Sequence, residues 1–254
     1  MSENPIDLGL LSERDRCNDP LRSVTRSFRH ASVTQAAVAV SGDSAMTGKP
    51  RKRRTQEERT AETRAALFEA AVKTIDKMGY AAANNASIAD AAGISRGAIT
   101  HHFGTRANFM AEVVQWVFEQ ETVIFTEIVT KRGAAPRIED WPEILWEVFS
   151  RPSGVAVMEI LVASRSDSEL AALTRPMQFA VERQGAENFL HHTGLSASEM
   201  AVIRLSVWAI RGMTMGQAFI DGPGSMTEAV ALLGKVFQRA APDGTARELI
   251  DLAK

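Results

Sequence analysis

A single cysteine, Cys17, stands in 254 residues, so no disulfide framework can close within the chain and no cysteine-based zinc finger can be built. Such a chain suits a reducing cytoplasm. No apolar run approaches the roughly 18 residues of a membrane-spanning helix, and Met1 to Asp15 lacks a basic stretch followed by an apolar core. Neither a membrane partner nor a secretion signal is expected. H-E-x-x-H, G-x-S-x-G, the P-loop and G-x-G-x-x-G are also missing, the patterns that would place a zinc-activated water, a nucleophilic serine or a nucleotide phosphate. His101-His102 and His191-His192 are the residual metal candidates, but adjacent residues on a helix point about 100° apart. No enzyme, metal site or cofactor is expected. Strand-like alternation is absent too, and the reading is an all-α protein.

Charge of one sign is scarce overall, at a net −2, which by itself argues against a nucleic-acid partner. Its distribution argues the other way. Residues 51–110 carry 10 basic and 6 acidic groups, a net +4, whereas residues 111–254 carry 13 and 19, a net −6. A phosphate surface responds to the local field rather than to the sum.

Within the positive region, Asn84 to Phe109 reads NNASIADAAGISRGAITHHFGTRANF. Asn84, Asn85 and Ser87 can accept from orphan N–H groups, and Ser87 with Asp90 has the form of a capping box, so a short helix is expected to begin near Asn85. Ile88, Ala89 and Ala92 share its apolar face, and Gly93 supplies the left-handed residue on which a helix can end sharply. Ser95 is then placed to cap a second helix from Arg96 to about Phe103. Ile99 and Phe103, four apart, can share a buried stripe while Arg96, Gly97, Thr100 and His101 take the other faces. A helix that offers a small, donor-rich surface from a compact support can enter the DNA major groove.

Residues 49–114, KPRKRRTQEERTAETRAALFEAAVKTIDKMGYAAANNASIADAAGISRGAITHHFGTRANFMAEVV, resemble the N-terminal DNA-binding domain of the TetR-type (TetR/AcrR-like) transcriptional regulators. The resemblance is carried by Gly79-Tyr80 closing the first helix, Ala92-Gly93-Ile94, the S-R-G-x-I-T-x-H-F run from Ser95, and Thr105-Arg106 opening the fourth helix. Thr100 departs from the tyrosine usual there, and Asn85 from an apolar residue. The resemblance implies a homodimer that lays two reading heads on a palindromic double-stranded operator and is released by a small effector. Arg96, Gly97, Ala98, Thr100 and His101, opened by Ser95, would face bases, while Asn84, Ser87, His102 and Arg106 would hold phosphates, with Asn85 also at the DNA surface. A DNA-binding protein of nucleoid type, without operator or effector, is the alternative.

Three domains are expected: 1–50 as a disordered N-terminal extension, 51–110 as the three-helix head, and 111–254 as a helical ligand-binding and dimerisation domain. Met46 is an alternative start of translation. Lys49 to Arg54 form a basic arm whose Arg53 and Arg54 can follow phosphates. Leu67, Ala71 and Ile75, with Phe68 and Val72, mark one face of a helix from Thr55 to Met78. A fourth helix runs to about Thr130, KRGAAPR at 131–137 is a linker, and helices are expected at 141–150, 154–166, 167–192, 196–220 and 226–240. Pro176 should bend or interrupt the third of these, and Ser196-x-x-Glu199 should cap the fourth. The resemblance makes 196–220 and 226–240 the dimer helices. Ala209, Gly212, Gly216, Ala218, Ala229 and Gly234 would allow close approach there. Trp116, Phe149, Met158, Met177, Phe179 and Trp208, with Arg165 or Arg175 as a polar anchor, are the candidates to line a pocket for a lipophilic effector.

Overall fold

Apolar residues recurring every three to four positions produce helices throughout the computed structural model, which describes residues 55–193, 200–220 and 225–252, without side chains for 184–193 and 225. The 1–50 extension, Met46, the basic arm with Arg53 and Arg54, the Ser196–Glu199 cap, Gly194 and the DGPG stop at 221–224 lie outside the described residues. So do the side chains of His191 and His192. Those that are described belong to one folded unit, Arg51–Lys254.

Helix α1 spans Gln56–Met78, opened by a Thr55–Glu58 capping box in which each side chain accepts from the other residue's N–H. Its stripe of Leu67, Phe68, Ala71, Val72 and Ile75 is buried. Helices α2 (Asn85–Ala92), α3 (Gly97–Phe103) and α4 (Arg106–Arg132) complete the head. Phe68, Phe103 and Phe109 meet at its centre, with ring centroids 5.6 Å apart for Phe68–Phe103 and 4.7 Å for Phe103–Phe109. Ile88 and Ile99 are fully buried beside them. Burying an isoleucine completely stabilises by about 1.5–3 kcal/mol, so these anchors hold two helices that are too short to persist alone.

α4 passes residue 110 without a break and carries the chain out of the head. A 3-10 turn, Ile138–Asp140, leads into α5 (Trp141–Phe149), followed by α6 (Pro152–Ala163), α7 (Ser168–Thr193), α8 (Met200–Gly216), α9 (Ser225–Ala240) and α10 (Ala246–Asp251). The head's core continues without interruption into Val157 and Ile160 of α6 and Leu170 and Met177 of α7. A second cluster joins Trp141, Ile203 and Phe237, and a third joins Leu145, Val148, Phe149, Ile210 and Val230.

Four details differ from the expectation. The cap of α2 is Asn84, whose side-chain oxygen accepts from the Ser87 N–H at 3.0 Å, so the Ser87–Asp90 box does not form. Ser95 caps nothing with its side chain: Arg96 occupies the N-cap position in helical conformation, and only the Ser95 carbonyl serves, accepting from Ala98 at 2.9 Å. Pro176 does not interrupt α7. Both Pro176 and Ala172, whose carbonyl the proline leaves without a donor, are exposed, and water can satisfy that oxygen. α10, begun by Thr245 with Glu248 reaching back to its N–H, was legible as T-x-x-E and was not expected.

Candidate nucleic-acid interface and effector cavity

The head presents one turn and one short helix. Gly93 ends α2 at φ 66°, ψ 29°, its N–H directed at Ala89 and Asp90 carbonyls while Ile94 N–H reaches Ala89 O at 3.0 Å. That left-handed residue swings the chain onto α3. Ile99 and Phe103 turn into the core, leaving Ser95, Arg96, Gly97, Thr100 and His101 exposed and Ala98 and His102 half-buried. The expected base-facing residues are therefore at least partly open to solvent, and Thr100 offers a hydroxyl there. The Arg96 guanidinium approaches Asp90 of α2 at 3.3 Å across the turn, an exposed pair worth at most ~1 kcal/mol that a guanine could displace.

The expected phosphate contacts divide. Asn84 is exposed and Ser87 half-buried beside it, the Ser87 hydroxyl donating to the Asn84 carbonyl at 2.9 Å. Arg106 is turned inward. Its Nη1 donates to Ala83 O at 2.8 Å and Asn85 Oδ1 at 3.3 Å, its Nη2 donates to Tyr80 O at 3.1 Å, and the guanidinium stands 4.8 Å over the Tyr80 ring. The residue expected to clamp a phosphate instead ties α4 to the Tyr80–Asn85 turn, with Asn85 as one of its acceptors. Burial first, then the charges of His101 and Arg64, lower the His102 pKa. At neutral pH His102 thus presents an uncharged ring to any phosphate.

Arg64 of α1 braces the other side of α3. It pairs with Glu112 of α4, donates to the His102 carbonyl at 3.4 Å and lies 4.5 Å over the Phe103 ring. Glu159 of α6 accepts from the Tyr80 N–H. The head is therefore fastened to the rest of the chain by α4 and by a carboxylate from α6.

Beyond the head, α4, α5, α7 and α8 line a pocket of about 150 Å³, partly open to solvent, whose apolar walls include Phe118, Phe125, Trp141, Leu145, Phe149 and Val207. Of the expected lining residues, Phe149 and Trp208 border it. The others do not. Trp116 packs on Phe68, with centroids 5.9 Å apart, and Met177 is buried in the head's core. Phe179 is 70% exposed, Arg165 is exposed, and Met158 is half-buried outside the lining. Their helical phase, which spacing alone did not reveal, turns them elsewhere.

What the spacing argument missed is an ion pair. Glu121 of α4 and Arg211 of α8 border the cavity and are 6% and 5% exposed, with Nη2 donating to Oε2 at 2.7 Å. The Arg211 guanidinium also lies 4.0 Å over the Phe149 ring. Burial, opposed by the Arg211 charge and hydrogen bond, raises the Glu121 pKa. A readable signal existed: Arg211 follows buried Ile210 on the Val202–Thr214 stripe, and Glu121 follows Val117 and Phe118 on that of α4. Charges standing on apolar stripes mark a buried polar site.

A left-handed glycine joining two short helices, the second of which displays polar side chains outward, has the geometry of a helix-turn-helix. Residues 67–113 match the family described as bacterial regulatory proteins, tetR family. The uncharacterized HTH-type transcriptional regulator Rv2912c of Mycobacterium tuberculosis is 36% identical over 118 residues, 46% of this chain and 60% of that protein. The chain thus spans about three-fifths of that relative's length. HTH-type transcriptional regulator CymR of Pseudomonas putida is 44% identical over 71 residues, 28% of this chain and 35% of CymR. A crystal structure assigned to the TetR family, from Mesorhizobium loti, shares the fold at TM-score 0.52 and 18% identity, over 71% of this chain and 97% of that one. The likeness to TetR-type regulators thus rests on the head, through residues 67–113, and on the fold of the chain. Among the described residues no helix is long and apolar enough to cross a membrane.

Proposed function

We propose that the protein is a homodimeric repressor of the cytoplasm that binds a palindromic operator through α3 and is released when a small, largely apolar effector enters the cavity. The observation that carries the reading is the division of α3, with Ile99 and Phe103 inward and Arg96, Gly97, Thr100 and His101 outward. Support for the dimer comes from apolar side chains left in solvent on the two C-terminal helices: Leu205 and Trp208 on α8, Leu232 and Val236 on α9. Large apolar side chains exposed on neighbouring helices are what an interface between copies would cover. Gly212 has open space around it, whereas Gly234 is used within the chain, since a Cβ there would come 2.9 Å from Glu139 O. Two heads about 34–36 Å apart would then reach successive major grooves. Because α4 runs from the head to Glu121, and Glu159 holds the Tyr80 turn, an occupant of the cavity can act on the spacing of the heads.

Selecting bound fragments from random DNA tests this. A palindrome with half-sites one helical turn apart is expected, and Arg96→Ala should weaken it by about 1–3 kcal/mol while relaxing preference at one base position. Binding that favoured no palindrome over random DNA would point to a nucleoid-type protein instead. An equal loss from Arg96→Ala on every sequence would remove the base-reading role.

A further inference from the structure

Most side-chain donors on the walls of the pocket are already committed within the chain. On α4 the Thr122 hydroxyl donates to Phe118 O at 2.9 Å and the Thr126 hydroxyl to Thr122 O at 2.8 Å, and on α8 the Ser206 hydroxyl donates to Val202 O at 2.9 Å. Both arginines are paired, Arg211 with Glu121 at 2.7 Å and Arg204 with Glu182 at 2.6 Å, so charge at the site is balanced. Glu121 Oε1, Arg211 Nη1, Gln178 Oε1 and Trp141 Nε1 are sealed from the open space. What remains is the Gln178 amide nitrogen, a single neutral group. It cannot replace the water that a carboxylate would lose on entry. An ammonium fares no better, since the carboxylates of Glu121 and Glu182 are taken and the Arg211 guanidinium lies 4.0 Å over the Phe149 ring. The walls are otherwise built largely from rings: Phe118, Phe125, Trp141, Phe149 and Trp208. Aromatic faces and edges suit another ring, through offset or edge-to-face contact.

Resting on the reading of this pocket as the effector site, we infer that it takes an uncharged single-ring hydrocarbon and rejects the acid, amine and amide built on the same ring. That is narrower than a largely apolar effector, because no polar head enters. The volume of about 150 Å³ sets the size, since an apolar cavity of that order holds one benzene ring.

The test is a titration of the full chain at neutral pH with toluene, benzoate, benzylamine, benzamide and naphthalene. Calorimetry follows it, together with tryptophan fluorescence, since Trp141 and Trp208 border the pocket. Toluene should bind about tenfold or more tightly than each polar analogue, and naphthalene, up to saturation in water, should give no response. Any polar analogue equalling toluene would overturn the hydrocarbon assignment while leaving the pocket an effector site. Naphthalene equalling toluene would overturn the single-ring limit. Thr122→Phe, at an exposed position on the α4 wall, and Val207→Phe on α8 each place a ring in the pocket and should weaken toluene about tenfold or more. Toluene unaffected by both variants binds elsewhere, which refutes the inference; should one variant not fold, the other decides. Toluene that binds here without releasing operator DNA in a mobility shift would overturn the effector reading and leave the ligand class standing. Failure of every probe to bind would overturn the inference and the effector reading together.

Discussion

Arg106→Ala separates two ways in which a cation at the start of α4 could serve a DNA-binding head. As a phosphate clamp, its removal would leave stability unchanged and lower the slope of log affinity against log salt by about one. The geometry indicates otherwise. Three donor contacts, to Ala83 O, Asn85 Oδ1 and Tyr80 O, are lost together with the stacking over Tyr80. A hydrogen bond from a charged donor contributes about 1.5–3 kcal/mol, but this group is half-buried and the turn can relax toward water. A net loss of roughly 2–4 kcal/mol is therefore expected. For a chain of this size that corresponds to a fall in Tm of roughly 5–15 °C. Denaturant titration gives the stability, and mobility-shift titrations across salt concentrations give the slope, which should match wild type even where affinity has fallen. Wild-type stability combined with a slope reduced by about one would show that the arginine faces phosphate, and the clamp of the Tyr80 turn would have to be abandoned.

Two glycines should respond for different reasons. A Cβ on Gly154 would fall 2.0 Å from the Phe149 carbonyl oxygen, so Gly154→Ala must displace backbone at the α5–α6 junction and should cost about 3 kcal/mol or more. Gly93 has open space at φ 66°, and Gly93→Ala should lose only the ~1–2 kcal/mol of left-handed strain; equal costs in denaturation would contradict the distinction. Replacing Leu232 and Val236 together with glutamate should yield monomers in sedimentation analysis with unchanged helix content and without operator binding, and a persistent dimer would move the interface elsewhere. The lowered pKa of His102 means that, between its folded value and the ordinary 6.5, the unfolded chain binds more protons. Stability should thus rise with pH through that window and flatten above it, and His102→Gln should remove this part of the slope; identical pH profiles for the two proteins would argue against it.

Much of the head is local chemistry, which is why it could be read from residue order. Thr55 with Glu58 opens α1, Gly93 breaks the chain between α2 and α3, Thr105 caps α4, and Ile99 with Phe103 gives α3 an inside and an outside; each rests on interactions spanning at most a turn or two. Similar local rules marked the helices of the second half and overlooked α10, although its T-x-x-E signal was present. The pocket between α4, α5, α7 and α8 obeyed a different rule. Trp116, Met177 and Phe179 have the composition of a pocket wall, yet the phase of each helix against its neighbours turns two inward and one to solvent. Glu121 and Arg211, 90 residues apart, become a pair only when α4 and α8 pack together. Even Arg106, whose sequence position suggested phosphate, takes its partners from a turn more than 20 residues earlier. Short-range hydrogen bonding and periodicity set where helices begin, end and face, while partners for buried charge depend on which helices meet, and that follows only from the packing of the whole chain.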